Sequence, residues 1–473
     1  MTFYNRRRFL KSTSALGFAG GAGLLSGLAS QSANAMDVSG YKALVCIFLK
    51  GGIDGFDTVL PLDTPSYDSF KAIRPDLFAR YDSDNPDSSR NRDALLSLGS
   101  LQSDSNRQFA LTPQMAELKQ LYDAGDMAVI GNVGPLVEPT TRTAMESGQA
   151  RTPKNLFSHN DQQSTWMSMD IEGRNDGWGA QLARIAAEAD PTMNKAFSAI
   201  TASSSDIFLR GNGVSQFKTQ AGGGSEVDIL SRRWMLRSAR NSDAARDILR
   251  RHFGSLNANP QNILEADLAK SHQEGRKTIE AYLNAVENSQ PLATSFPNTN
   301  LGRQLQAIAE SISLRGPLGV SRQVFFASLG GFDTHDNQVN ELPSKHLEIS
   351  QAIAAFQTAM SELGTLNNVT TFTAADFGRT MVTNGDGTDH GWGNHHFVVG
   401  GAVHGGQIIG DIPAYNLGEN AYTEDRGRLI PTTSVDEYAA TLGQWFGLNS
   451  TDLRTVLPNW SENFNSKALN LFS

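Results

Sequence analysis

Aspartate and histidine recur in short, glycine-flanked motifs along this chain. They read Gly51-Gly52-Ile53-Asp54-Gly55-Phe56-Asp57, Gly330-Gly331-Phe332-Asp333-Thr334-His335-Asp336-Asn337, Ala375-Asp376-Phe377-Gly378-Arg379 and Gly387-Thr388-Asp389-His390-Gly391. Carboxylate oxygen and neutral imidazole nitrogen are ligands that divalent metals take. Glycine beside them lets the backbone turn sharply. Six of the nine histidines lie between Gly330 and His404, which marks that region as the first place to look for a site.

Spacing assigns roles. Asp333 and His335 are two apart, so an extended loop turns both to one side as a two-pronged metal arm, and Asp336 then faces solvent. Asp54 is either a metal ligand or a turn aspartate capping a helix start, with Asp57 the better cap. Arg379, expected in a first helical turn after Asp376, either grips an anionic substrate through paired hydrogen bonds or orients Asp376. His390 is the sharpest of the late histidines. His395 and His396 lead into a strand, where successive side chains diverge, so at most one of them faces the site. His404, in a glycine-rich turn, reads as solvent-exposed, and His346 as a surface residue of a helix. His252 and His272 fall on solvated helical patterns. In Phe157-Ser158-His159-Asn160-Asp161, Ser158 reads as a helix cap or as a nucleophile activated by a metal and the helix dipole.

Apolar runs must carry these motifs. Lys42–Lys50 is continuous, β-branched and stopped by glycine, which predicts a buried strand. Met127–Val133, Gln323–Leu329, Val369–Thr373 and Phe397–Gly401 have the same character. Helical periodicity appears at Thr112–Ala124, Trp178–Glu188 and Asn337–Leu363. Alternating strands and helices predict a mostly parallel sheet covered on both faces. Residues 82–107 read as a polar surface loop. From about 227 to 313 the pattern is almost wholly helical, notably Ile263–Val286, which predicts a helical insertion. Three motifs directly follow strands, and open α/β sheets bind ligands at the carboxyl ends of their strands.

The amino terminus reads as an export leader. Arg6-Arg7-Arg8-Phe9-Leu10-Lys11 precedes a Gly- and Ala-rich apolar run, and Ala33-Asn34-Ala35 has the small-x-small pattern of a cleavage site. The paired arginines followed by Phe-Leu-Lys match a twin-arginine signal better than an ordinary secretory signal or an anchor. Residues 1–35 are therefore expected to be removed, leaving residues 36–473 in the periplasm or another extracytoplasmic space, exported folded. Losing Arg6, Arg7, Arg8 and Lys11 takes the formal charge from −9 by four to −13. No basic run remains for nucleic acid, and no later segment is long and apolar enough to span a membrane. The one cysteine, Cys46, lies mid-strand and reads as a buried, inert thiol.

Taken together, the leader, Leu49–Pro61, Phe157–Gln163, Gly330–Gln338, Asp376–Thr380, Gly387–Val403 and Gly427–Leu448 resemble a bacterial family of exported proteins. That family is known as domain of unknown function 1501 and is grouped with the alkaline-phosphatase-like superfamily. The resemblance implies an α/β/α sandwich with one or two divalent metals (Zn, Mn, Mg or Ca) at the strand ends. Carried over by motif, it implies Asp54, Asp333, His335, Asp376 and His390 as ligands and Ser158 as the nucleophile. This chain departs from the superfamily pattern at Phe377, where a histidine often follows the aspartate. The tail that usually follows the nucleophile is also absent after Ser158.

The function expected is an exported metal-dependent hydrolase of a phosphate or sulfate ester, with Arg379 or Lys50 holding the anion. The alternative is a non-catalytic exported protein that keeps the fold and binds a surface polysaccharide or an exported partner protein. A metal-binding oxidoreductase is disfavoured because no haem, flavin or iron–sulfur signature appears.

Overall fold

The computed structural model describes residues 36–170, 176–204, 206–222, 263–417 and 420–472. The leader and the first part of the helical insertion, through residue 262, lie outside the described residues.

Nine strands form the main sheet: β1 Lys42–Lys50, β2 Met127–Gly134, β3 Ala199–Thr201, β4 Phe217–Lys218, β5 Arg322–Gly330, β6 Val369–Ala375, β7 Asn394–Val399, β8 Gln407–Ile409 and β9 Thr433–Ser434. Their order is β8-β2-β7-β6-β1-β5-β3-β4, with β9 also on β2. Seven residues of β1, Ala43 to Leu49, are buried, as a strand covered on both faces requires. It pairs in parallel with β5, Ile47 opposite Ala327, and with β6, Ile47 opposite Thr373. The expectation of an α/β fold with a mostly parallel sheet holds. The strand expected at Phe397–Gly401 starts at Asn394 instead, and it runs antiparallel to both β6 and β2.

Helices flank the sheet in two groups. Asn300–Ser313, Gln338–Glu362 and Ala116–Ala124 pack among themselves, while Trp178–Ala189 packs with Val435–Phe446 and Ser450–Val456 through the latter. Asn300–Ser313 buries Leu301, Leu305, Ile308 and Ile312 along one stripe and packs on β5. It therefore belongs to the covering layer, and Ile263–Glu287, from the same expected span, meets it where the buried Tyr282 hydroxyl lies 2.9 Å from that of Ser311. Residues 82–107 are more than a loop. Leu96–Ser100 pairs with Gln108–Leu111, and Arg90 is buried against Asp57. Among the described residues no helix is long and apolar enough to cross a membrane.

Because β6, β1 and β5 are neighbours and parallel, their carboxyl ends lie along one edge of the sheet. Residues 51–57, 331–337 and 376–379 consequently start side by side. Gly51 and Gly52 adopt φ of 111° and 75°, a region that disfavours other residues. A Cβ on Gly51 would stand 2.5 Å from the Asp333 nitrogen, and one on Gly52 2.5 Å from the Phe377 ring. Glycine is needed there because the loops touch.

Both histidines of β7 are structural. His395 Nδ1 accepts the Asn132 N–H at 3.0 Å, and its Nε2 lies 3.1 Å from the Tyr415 hydroxyl. His396 packs edge-on against Trp166, with centroids 5.0 Å apart. Burial holds both neutral, their pKa pushed down to about 3. His346 is likewise fully buried, not at the surface, with its ring between the hydroxyls of Thr58 and Thr112. Its pKa too is held well below the ordinary value by burial. A depressed folded-state pKa means that the unfolded chain takes up more protons below about pH 6.5. Stability is thus expected to fall as pH drops from about 6.5 toward 3, each histidine contributing up to about 1.4 kcal/mol per pH unit. Urea unfolding at stepped pH tests this. His396→Leu should show a slope shallower by one proton, and an unchanged slope would contradict the assignment.

Candidate metal centre

Four side chains meet beyond the carboxyl ends of β1, β5 and β6. Asp333 and His335 come from the loop after β5, and His390 from the second strand of the hairpin Arg379–Thr383 and Thr388–His390. His159 comes from the first turn of the helix His159–Ser168. Donor atoms of His159, Asp333 and His390 all lie within 4.8 Å of one another. His335 Nε2 is 2.9 Å from His390 Nε2 and 3.2 Å from Asp333 Oδ1, and His390 Nε2 is 3.1 Å from that same oxygen.

Each ring is fixed from behind. His390 Nδ1 lies 2.8 Å from the Phe157 carbonyl, which only accepts, so Nδ1 carries the proton and Nε2 presents a lone pair. His159 Nδ1 donates to Asp376 Oδ2 at 2.6 Å, and His335 Nδ1 to Asp389 Oδ1 at 3.2 Å. Three imidazole lone pairs therefore point at one carboxylate. Carbonyl or carboxylate acceptors behind ring nitrogens are the usual outer partners of metal-bound histidines.

The electrostatics follow from those partners. The Asp376 hydrogen bond raises the His159 pKa above its ordinary value, whereas burial lowers that of His390. Burial alone would raise Asp333, but the Arg379 guanidinium holds its carboxyl below the usual range. His159 Nε2 is buried with no hydrogen-bond partner, although Asp333 Oδ2 stands 3.4 Å away. The lone pairs of His335 and His390 face each other at 2.9 Å beside an anion. That is repulsive unless a proton or a metal ion lies between them, and the donor set of imidazole and carboxylate fits a divalent metal.

Other expected site residues are placed differently. Asp54 is fully buried and belongs to Arg74, which meets its two oxygens at 2.7 and 3.2 Å. Gln338 Nε2 adds a third bond at 2.8 Å, and Asp54 also caps the short helix Gly55–Asp57. No hydrogen bond or ion pair joins Asp54 to the cluster among the described residues. Asp57, expected as the cap, instead pairs with Arg90 at 2.6 Å. Asp376 stands behind His159, also receiving Gln163 Nε2 at 2.9 Å and the Gly51 N–H at 3.3 Å.

Arg379 begins a strand rather than a helix, and its guanidinium is occupied. It donates to the carbonyls of Gly52 (3.0 Å), Gly51 (3.1 Å), Phe332 (3.0 Å) and Thr388 (2.8 Å) and to Asp333. It orients Asp333, not Asp376, and has little left for a substrate. Lys50 is paired with Asp206 at 2.7 Å. Ser158 precedes the helix, but its hydroxyl turns to Asp161 Oδ2 at 2.5 Å. His395 and His396 are engaged with Asn132, Tyr415 and Trp166, and His404 is half-exposed. The residue that sequence reasoning missed is His159. Its signal lies in Phe157-Ser158-His159-Asn160-Asp161, where the serine at the helix start masks the histidine beside it.

A family model described as Protein of unknown function (DUF1501) matches residues 41–456. Among curated proteins none matches. Solved structures with a similar chain trace include Ps i-CgsB (10% identity, 91% of this chain and 77% of that one, TM-score 0.32). Another is the lipoteichoic acid synthase LtaP from Listeria monocytogenes (7% identity, 88% and 75% covered, TM-score 0.32). A putative sulfatase from Bacteroides thetaiotaomicron is a third (9% identity, 89% and 75% covered, TM-score 0.29). At such TM-scores the likeness is too distant to transfer chemistry.

The buried Asp54–Arg74 pair carries its own test. Arg74→Met leaves a carboxylate unpaired in the core and should cost about 3–5 kcal/mol in denaturant unfolding. Arg74→Met combined with Asp54→Leu should recover much of that loss. A single substitution within 1 kcal/mol (roughly the value of a surface pair) would show that the pair is not buried as described.

Proposed function

The chain belongs to the family described as Protein of unknown function (DUF1501), and from that premise and the cluster above we propose that it is a metal-dependent hydrolase of a phosphate or sulfate ester. The observation that carries the metal is the meeting of three imidazole lone pairs on Asp333, two of them 2.9 Å apart. When bound, a divalent ion supplies a Lewis acid for negative charge developing on an ester oxygen. Asp333 and His335 are 44% and 43% exposed, so a substrate reaches the centre from solvent.

The protein's own groups do the positioning. Arg379 sets the direction of the Asp333 carboxylate, and Asp376, Asp389 and the Phe157 carbonyl hold His159, His335 and His390 in one tautomer each. Ser158 is the nucleophile to test, being adjacent to His159 at a helix N-terminus, and Asp161 is placed to take its hydroxyl proton at 2.5 Å. The Arg6-Arg7 leader motif supports export in folded form to the periplasm, with a small anionic ester or a surface polysaccharide as the encountered substrate.

A competing reading has specific support. The Ser158 hydroxyl is turned to Asp161, and Arg379 and Lys50 are both spent on internal partners. A non-catalytic protein that keeps the metal and binds a polysaccharide or an exported partner protein satisfies the same geometry. Turnover separates the two. With aryl phosphate and aryl sulfate substrates, Asp333→Ala should lose about 100-fold or more in kcat/KM, the scale of a removed electrostatic stabiliser. Ser158→Ala should lose comparably while retaining metal. Equal turnover by wild type and Asp333→Ala would remove the hydrolase reading.

A further inference from the structure

The geometry points to a single ion of the zinc class, not a two-metal centre and not magnesium or calcium; we propose His159, His335 and His390, each through Nε2, and Asp333 as its ligands. This inference rests on the metal-dependent reading above and specifies what that centre takes. Three observations lead to it.

The first is the donor set. With Nδ1 of each ring committed to a carboxylate or carbonyl, Nε2 is the only ligating atom left on each. Three nitrogens and one carboxylate suit a four-coordinate zinc-class ion. Magnesium and calcium take six or more ligands, almost all oxygen. The second is that His335 cannot be a bystander. Its Nε2 faces that of His390 at 2.9 Å, and its other nitrogen is held by Asp389, itself paired with Arg426. His335 falls outside the trio His159, Asp333 and His390 whose donor atoms are mutually within 4.8 Å, but it stands 2.9 Å from His390 and 3.2 Å from Asp333, from where it would complete the set around an ion.

The third concerns a second ion, for which Asp54 and Asp376 are the ligands expected from the sequence. Its carboxylates are spent, Asp54 on Arg74 and Gln338, and Asp376 Oδ2 on His159, Gln163 and Gly51. Asp376 Oδ1 is buried without a partner, so one oxygen does remain. Among the described residues no second cluster of three or more such donors comes together beside it, and Phe377 is the next residue in the chain. Its ring stacks 4.7 Å from His159 and 4.6 Å from His390 between centroids. A lone carboxylate oxygen does not hold a divalent ion.

The test is a titration of chelator-stripped mature protein with Zn²⁺, Co²⁺, Mg²⁺ and Ca²⁺ by calorimetry, with visible spectra for Co²⁺. One equivalent of Zn²⁺ or Co²⁺ is expected, the latter with the intense absorption of a four-coordinate ion. Mg²⁺ and Ca²⁺ at about 100-fold higher concentration should not displace it. Asp376→Asn should weaken Zn²⁺ binding about 10- to 100-fold, as loss of an outer partner does. His335→Ala should weaken it further and change the Co²⁺ spectrum. Asp54→Asn, shown by circular dichroism to be folded, should change neither count nor spectrum. Two equivalents in wild type, equal competition by Mg²⁺, or wild-type affinity in His335→Ala would each overturn the proposal. One tightly bound ion without ester turnover leaves this proposal standing and removes the hydrolase reading; turnover with two ions does the reverse.

Discussion

One guanidinium holds the centre together. Arg379 donates to carbonyls of the loop after β1, the loop after β5 and its own hairpin, and then to Asp333. It is 1% exposed, so water does not compete for these bonds. A buried carbonyl left without a donor costs about 1–3 kcal/mol, and the guanidinium supplies donors to four of them. The same interaction that lets the strand-end loops pack therefore also fixes the carboxylate on which the imidazoles converge. An arginine that reads in the sequence as either a substrate grip or a partner of Asp376 is the keystone of the loops.

Behind that contact lies a second polar layer. Gln338 accepts the hydroxyls of Thr334 and Thr388 and donates to Asp54 and Asp57. Thr334 sits between Asp333 and His335, and Thr388 two residues before His390. Through this amide the loops of the centre are anchored to the buried pairs Asp54–Arg74 and Asp57–Arg90. Buried ion pairs add little net stability, but a broken one is costly, so such a layer tolerates few alternative arrangements. Rigid placement of this kind is what a metal centre needs from its surroundings.

Much of the scaffold was legible in the sequence. Lys42–Lys50 reads as a strand from residue type alone, and Gln338–Glu362 from its periodicity, because each is long and consistent. The direction of β7 was not legible, since an apolar run carries no sign. The candidate site was half legible: Asp333, His335 and His390 stand in glycine-flanked motifs whose spacing draws attention to them. Asp54 and Asp57 look interchangeable until Arg74 and Arg90 choose between them, and those partners lie 20 and 33 positions away. His346 did carry a signal that was missed, since it continues the buried stripe of Leu342, Ile349 and Ile353. His159 was hidden because its role appears only when Asp376, 217 positions on, stands behind its ring.

The central claim is that three imidazoles and Asp333 surround one ion. X-ray absorption at the zinc edge of the stoichiometrically loaded protein tests it most directly. The account predicts a four-coordinate shell with the multiple-scattering pattern of about three imidazoles and one additional oxygen ligand. It also predicts loss of one imidazole in His159→Ala. An oxygen-dominated shell, a metal–metal scattering path, or an unchanged imidazole count in His159→Ala would contradict it.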